Sequence, residues 1–76
     1  MKIKILGTGC PNCIRLENNV KQALKELNKK AEIEEVKDIE KIMSYGIMST
    51  PALVIDEKVI SYGRVLPPEE IKKVLE

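Results

Sequence analysis

The sequence has no His, no Trp and no Phe, and only two Cys. Each absence removes a class of protein. Without His, and without a third Cys, one chain cannot assemble the usual four-ligand Cys/His zinc site. Without Phe or Trp, the 43% of the chain that is hydrophobic comes almost wholly from Ile, Leu, Val, Ala and Met, so the core must be aliphatic and finely packed. An excess of one charge is missing too, since 13 Lys and Arg stand against 12 Asp and Glu. That balance offers no broad basic field for nucleic acid and no polybasic face for anionic lipid, and neither partner is expected. No apolar run is long enough to span a bilayer. The start, Met1-Lys2-Ile3-Lys4-Ile5-Leu6, alternates charge with aliphatics and then turns at glycines, unlike a signal peptide. A cytoplasmic protein is therefore expected. In that compartment a lone Cys pair is more often catalytic or metal-binding than a structural staple. The 76 residues make one domain, 1–76, near the lower size at which a core alone stabilises a fold.

Both cysteines fall in one short turn, Gly7-Thr8-Gly9-Cys10-Pro11-Asn12-Cys13. Two thiols at this spacing form a disulfide, bind a soft metal or do neither, so context decides. Before the turn, Lys2 to Leu6 reads as a strand, with Ile3 and Ile5 on one face and Lys2 and Lys4 on the other. After it the period changes. Cys13, Leu16, Val20, Ala23, Leu24 and Leu27 recur at helical steps, opposite Arg15, Glu17, Asn18, Lys21, Lys25 and Glu26. Pro11 suits a first helical position, where its missing N–H costs nothing. Asn28 and Lys29-Lys30 suit the helix end.

Ala31 to Val36 forms a weaker strand anchored by Ile33 and Val36. Asp38 caps a short helix carrying Ile39, Ile42 and Met43 on one face, which Gly46 ends. Pro51 then opens the most apolar stretch, Ala52-Leu53-Val54-Ile55, which suits a strand covered on both faces. Asp56-Glu57 makes a two-residue turn without the usual glycine, and Lys58 to Ser61 returns. Pro67, Pro68 and Glu69-Glu70 start a last helix buried through Ile71, Val74 and Leu75. The remaining methionines, Met43 and Met48, are expected as gap-fillers. The order is strand, helix, strand, helix, strand, strand, helix. The first pair of strands is parallel and the last pair antiparallel.

This order, with Cys10-Pro11-Asn12-Cys13 after the first strand and Thr50-Pro51 before the third, resembles the thioredoxin-like superfamily. The closest likeness is to its small redox-active disulfide proteins of archaea and bacteria. The resemblance implies an α/β, thioredoxin-like βαβαββα fold: a mixed four-stranded sheet with three flanking helices. It implies a cis bond before Pro51, beside the dithiol, where backbone groups pair with an extended substrate. Cys10 and Cys13 are the implied catalytic residues, and Thr50, Pro51, Gly9, Pro11 and Gly63 the implied substrate-contacting ones. No cofactor is implied beyond the redox-active Cys10–Cys13 disulfide. The implied partners are disulfide-containing substrate proteins and a reductase that donates electrons, with the chain acting as a monomer. Two departures stand out. Thioredoxins commonly carry Trp before the motif, where this chain has Gly9, and the glutathione-holding turn of glutaredoxins is replaced by Tyr62-Gly63-Arg64.

Placement supplies the chemistry. Cys10 lies at or just before the helix N-cap, where free N–H groups and the positive end of the dipole favour a thiolate. Arg15, one turn on, would add to this if it folded back. Cys13 falls on the same face but deeper, as the resolving thiol. The alternative is a Cu(I) carrier using the same two thiolates. Ferredoxin-like carriers, however, continue strand-strand-helix-strand, whereas the element order expected here finishes on a helix, and they usually carry Met where this chain has Thr8. A thioredoxin-fold binding module without turnover is a third possibility.

Overall fold

The computed structural model describes residues 2–75. The elements follow the expected order: β1 (Lys2–Leu6), α1 (Pro11–Leu27), β2 (Glu32–Val36), α2 (Ile39–Ser44), β3 (Ala52–Ile55), β4 (Lys58–Tyr62) and α3 (Pro68–Leu75). They build one sheet in the order β2-β1-β3-β4. β1 runs parallel to β2 and antiparallel to β3, and β3 pairs antiparallel with β4.

Alternation along the two central strands divides the core between the faces of the sheet. Ile3, Ile5, Leu53 and Ile55 point to one side, where Leu16, Val20, Ala23 and Leu24 of α1 meet Ile71 and Leu75 of α3. Leu6, Ala52 and Val54 point to the other, under Ile42 and Ile47. All four residues of β3 are buried, as its unbroken apolar run requires. Ser61 is the one buried polar residue among those described, and its hydroxyl has no partner there.

Four expectations need correcting. α2 is six residues long, too short to lay two rows of side chains on the sheet, so only Ile42 turns inward. Ile39 and Met43 are 62% and 60% exposed. Met48, expected to fill a gap, is 93% exposed. On α3 the i, i+4 pair Ile71 and Leu75 is buried while Val74 stands at the rim, 41% exposed. β4 also runs one residue further than expected, to Tyr62.

The turn Asp56-Glu57 explains how a hairpin does without glycine. Both residues are left-handed, at φ 48° and 67°, a conformation that side chains usually avoid. Their carboxylates hold it. Asp56 Oδ1 accepts the Lys2 N–H at 2.9 Å, and Glu57 Oε1 accepts from Lys4 Nζ at 2.7 Å. Lys4 Nζ also donates to the Tyr45 hydroxyl at 2.7 Å, which donates on to Glu57 Oε2 at 3.2 Å. The Glu57 carboxylate, followed by the Tyr45 hydroxyl, holds Lys4 charged far above the ordinary lysine range. Tyr45 caps the end of α2, so this network ties the helix to β1 and to the hairpin. It fixes the start of the loop that leads to Pro51.

Candidate active site

β1 delivers the dithiol turn. One residue past the strand, Gly7 N–H still donates to Val36 O at 2.9 Å, so the turn leaves the sheet from a fixed point. Gly9 takes φ +86°, open only to a residue without a Cβ at little cost. Cys10 is the N-cap of α1, with extended backbone at φ −67° and ψ 163°, and Pro11 opens the helix. The Cys10 sulfur accepts the Cys13 N–H at 3.3 Å, doing what a serine or aspartate side chain does at other caps. Cys10 O accepts the Ile14 N–H at 3.1 Å.

The two thiols are unlike. Cys10 is half-buried and Cys13 is 6% exposed. The thiol of Cys13 donates to Cys10, which holds the Cys10 sulfur below the ordinary thiol range; the backbone amides of Cys13 and Asn12 add to this. The order of causes differs from the sequence expectation, which put the unpaired amides first. Arg15, offered there as a helper, is exposed. Burial pushes Cys13 the other way, and donation to Cys10 raises it further. Reactivity at Cys10 is therefore full above its lowered pKa and declines as pH falls through it. Cys13→Ala removes the leading donor. Its expected result is a higher Cys10 pKa, read as an upward shift in the pH midpoint of iodoacetamide labelling. An unmoved midpoint would assign the thiolate to the amides alone.

The bend before β3 meets the turn. The Thr50–Pro51 bond is cis, and Pro51 is fully buried. Gly7 lies between the bend and the dithiol: a carbon built on it would overlap the Cys13 sulfur and come within 3.9 Å of Pro51 Cα. Gly63 N–H donates to Pro51 O at 2.9 Å, at φ +70°, and a carbon there would come to 3.1 Å from Ser49 Cβ. Thr50 is exposed and lines an apolar pocket of about 320 Å³ together with Thr8. Of the expected site residues, Cys10, Pro11 and Gly9 shape the turn, Cys13 and Pro51 flank Gly7, and Thr50 and Gly63 flank Pro51. Arg64 is drawn aside into an exposed ion pair with Glu70 at 3.2 Å.

Three residues went unread in the sequence. Gly7 is one. The others are Glu17 and Glu35, which line a cavity of about 250 Å³ that also reaches Cys13. Glu17 follows Cys13 by four residues and so shares its helix face; its side chain is 19% exposed rather than turned to solvent. Glu35 sits opposite Ile5 in the sheet. Hydrogen bonding with Glu17 holds the Glu35 carboxyl below its ordinary range, and the Lys37 and Lys21 cations reinforce this.

The arrangement suits a dithiol that opens and closes a disulfide. β2 leads into α2 rather than into another strand, so the ferredoxin-like carrier alternative finds no support in the fold. The family model described as a thioredoxin domain matches residues 1–76. A thioredoxin of Methanothermobacter thermautotrophicus is 47% identical over 75 residues, covering 99% of this chain and 97% of its own. A thioredoxin of Methanocaldococcus jannaschii is 40% identical over 73 residues, covering 96% and 84%. With the βαβαββα order, the Cys10–Cys13 pair and the cis bend already in place, these matches establish that the chain belongs to the thioredoxin-domain family.

Proposed function

We propose that this chain is a dithiol–disulfide oxidoreductase in which Cys10 attacks and Cys13 resolves. The observation that carries the assignment of roles is the capping contact, in which the half-buried Cys10 sulfur receives the Cys13 N–H at 3.3 Å beside a buried partner thiol. The Cys10 thiolate attacks one sulfur of a substrate disulfide, releasing the other as a thiolate. The mixed disulfide lies across Thr50 and Pro51, with Gly9, Pro11 and Gly63 shaping the floor beneath the substrate backbone. Cys13 then loses its proton and attacks the Cys10 sulfur. The Cys10–Cys13 bond forms, the bond to substrate breaks, and the second substrate thiolate leaves to be protonated. The protein ends oxidised by two electrons and needs a reductase to return it.

In this reading the protein works as a cytoplasmic, single-domain monomer on disulfide-containing proteins, with no cofactor beyond its own disulfide. Catalysed reduction of insulin disulfides by the reduced chain is the direct test, and a rate no higher than that of the reductant alone would overturn it.

Cys13, its pKa raised, needs somewhere to send its proton, and the cavity that Glu17 and Glu35 line is the nearest acidic surroundings. Glu17→Gln is expected to slow resolution of a preformed mixed disulfide by up to about 10²-fold near neutral pH. The deficit should shrink as pH rises and Cys13 ionises unaided. A deficit independent of pH would make Glu17 structural.

A further inference from the structure

We propose that Met43 and Met48 form an oxidation brake on the substrate-facing surface, a site where hydroperoxides modify the protein and weaken the docking of protein substrates. The proposal rests on the oxidoreductase reading above and concerns the regulation of the same site.

In an aliphatic chain with three methionines, methionine would ordinarily fill irregular gaps in the core. Here Met43 and Met48 instead stand 60% and 93% exposed, and both line the apolar pocket bounded by Thr8 and Thr50. Thr8 lies two residues before Cys10 and Thr50 is the residue before the buried Pro51, so the pocket is continuous with the dithiol turn and the bend. Ile39, 62% exposed, and the buried Ile42 and Ile47 complete its apolar wall. A polypeptide bonded to Cys10 and crossing Thr50 therefore reaches this wall. Unbranched, polarisable thioethers suit varied apolar segments of such substrates.

The same thioethers are open to oxygen transfer. A hydroperoxide gives one oxygen to the methionine sulfur: the S–O bond forms, the O–O bond breaks, the sulfur loses two electrons, and water or an alcohol departs. The product is a polar sulfoxide where an apolar group stood. With the Cys10–Cys13 disulfide closed neither sulfur is a thiol that the hydroperoxide can attack, so the oxygen goes to the thioethers, and the effect falls on substrate affinity and spares the chemistry.

The test starts from the protein with its Cys10–Cys13 disulfide closed, which protects the thiols while hydrogen peroxide is applied. Peptide mass spectrometry should place one added oxygen on each of Met43 and Met48. After the disulfide is reduced with dithiothreitol, the KM for insulin is expected to rise about tenfold, the equivalent of about 1.4 kcal/mol. The kcat, and the rate with a small disulfide such as dithionitrobenzoate, should hold. The double variant Met43→Leu, Met48→Leu, compared with its own untreated sample, should show no KM response to peroxide. Full sulfoxide with an unmoved KM, thioethers that resist peroxide, or an equal KM rise in the double variant would each overturn the proposal. A protein that reduces insulin before peroxide and is indifferent after it sinks the brake alone. One inactive before treatment sinks the oxidoreductase reading and the brake together.

Discussion

Cys10→Ser is expected to bring insulin reduction down to the uncatalysed rate, a loss of roughly a thousandfold or more, as when an enzyme loses its nucleophile. A serine hydroxyl at the same cap would accept the Cys13 N–H and keep the helix start intact, but it does not ionise in this range and cannot attack sulfur. Nor can Cys13 take over. It is 6% exposed, and burial raises its pKa. Cys13→Ser should fail differently, because Cys10 still captures substrate and nothing releases it. A covalent complex accumulates that dissociates on adding dithiothreitol and shows the combined mass. Turnover retained in the Cys10 variant would exclude the two-thiol mechanism, and a covalent complex formed through Cys13 instead would reverse the two roles.

Most of this site was legible because the signals were local. The strand-to-helix switch at Gly7 to Cys13 announces itself by a change of period, and Pro11 is tolerated at a helix only where the structure puts it. The cis bond at Pro51 followed from the resemblance, and no periodicity would have given it. What could not be read depended on neighbours distant in the chain. Whether Met43 faces in or out is decided by how much of α2 reaches the sheet, and six residues allow one buried row. Glu17 looked like a solvent-facing helix residue until β2 placed Glu35 against it. Asp56-Glu57 broke the usual rule for hairpins because Lys2 and Lys4, more than fifty residues earlier in the chain, supply the partners that hold the turn.

Gly7→Ala carries the other large expected effect, and it tests the packing on which both sulfurs depend. The backbone of Gly7 does not take a left-handed φ, so alanine meets no conformational objection there. The obstacle is space. The new methyl would overlap the Cys13 sulfur and sit 3.3 Å from its Cβ, with Pro51 Cα at 3.9 Å on the other side. Cys13 has one rotatable bond with which to withdraw, and turning it carries the sulfur away from Cys10. The expected cost is about 1 to 3 kcal/mol, as for added volume in a packed interior, read from the urea midpoint at unchanged slope. The second consequence is chemical: with the Cys13 donor displaced, Cys10 loses the leading cause of its lowered pKa, and the mixed disulfide should persist. The Cys13→Ala background separates this account from a general disturbance of the turn. With the sulfur gone, the methyl of Gly7→Ala has most of the room it needs, and the two substitutions together should destabilise less than their separate effects summed. Strict additivity would mean that Gly7 matters for some reason other than the sulfur beside it.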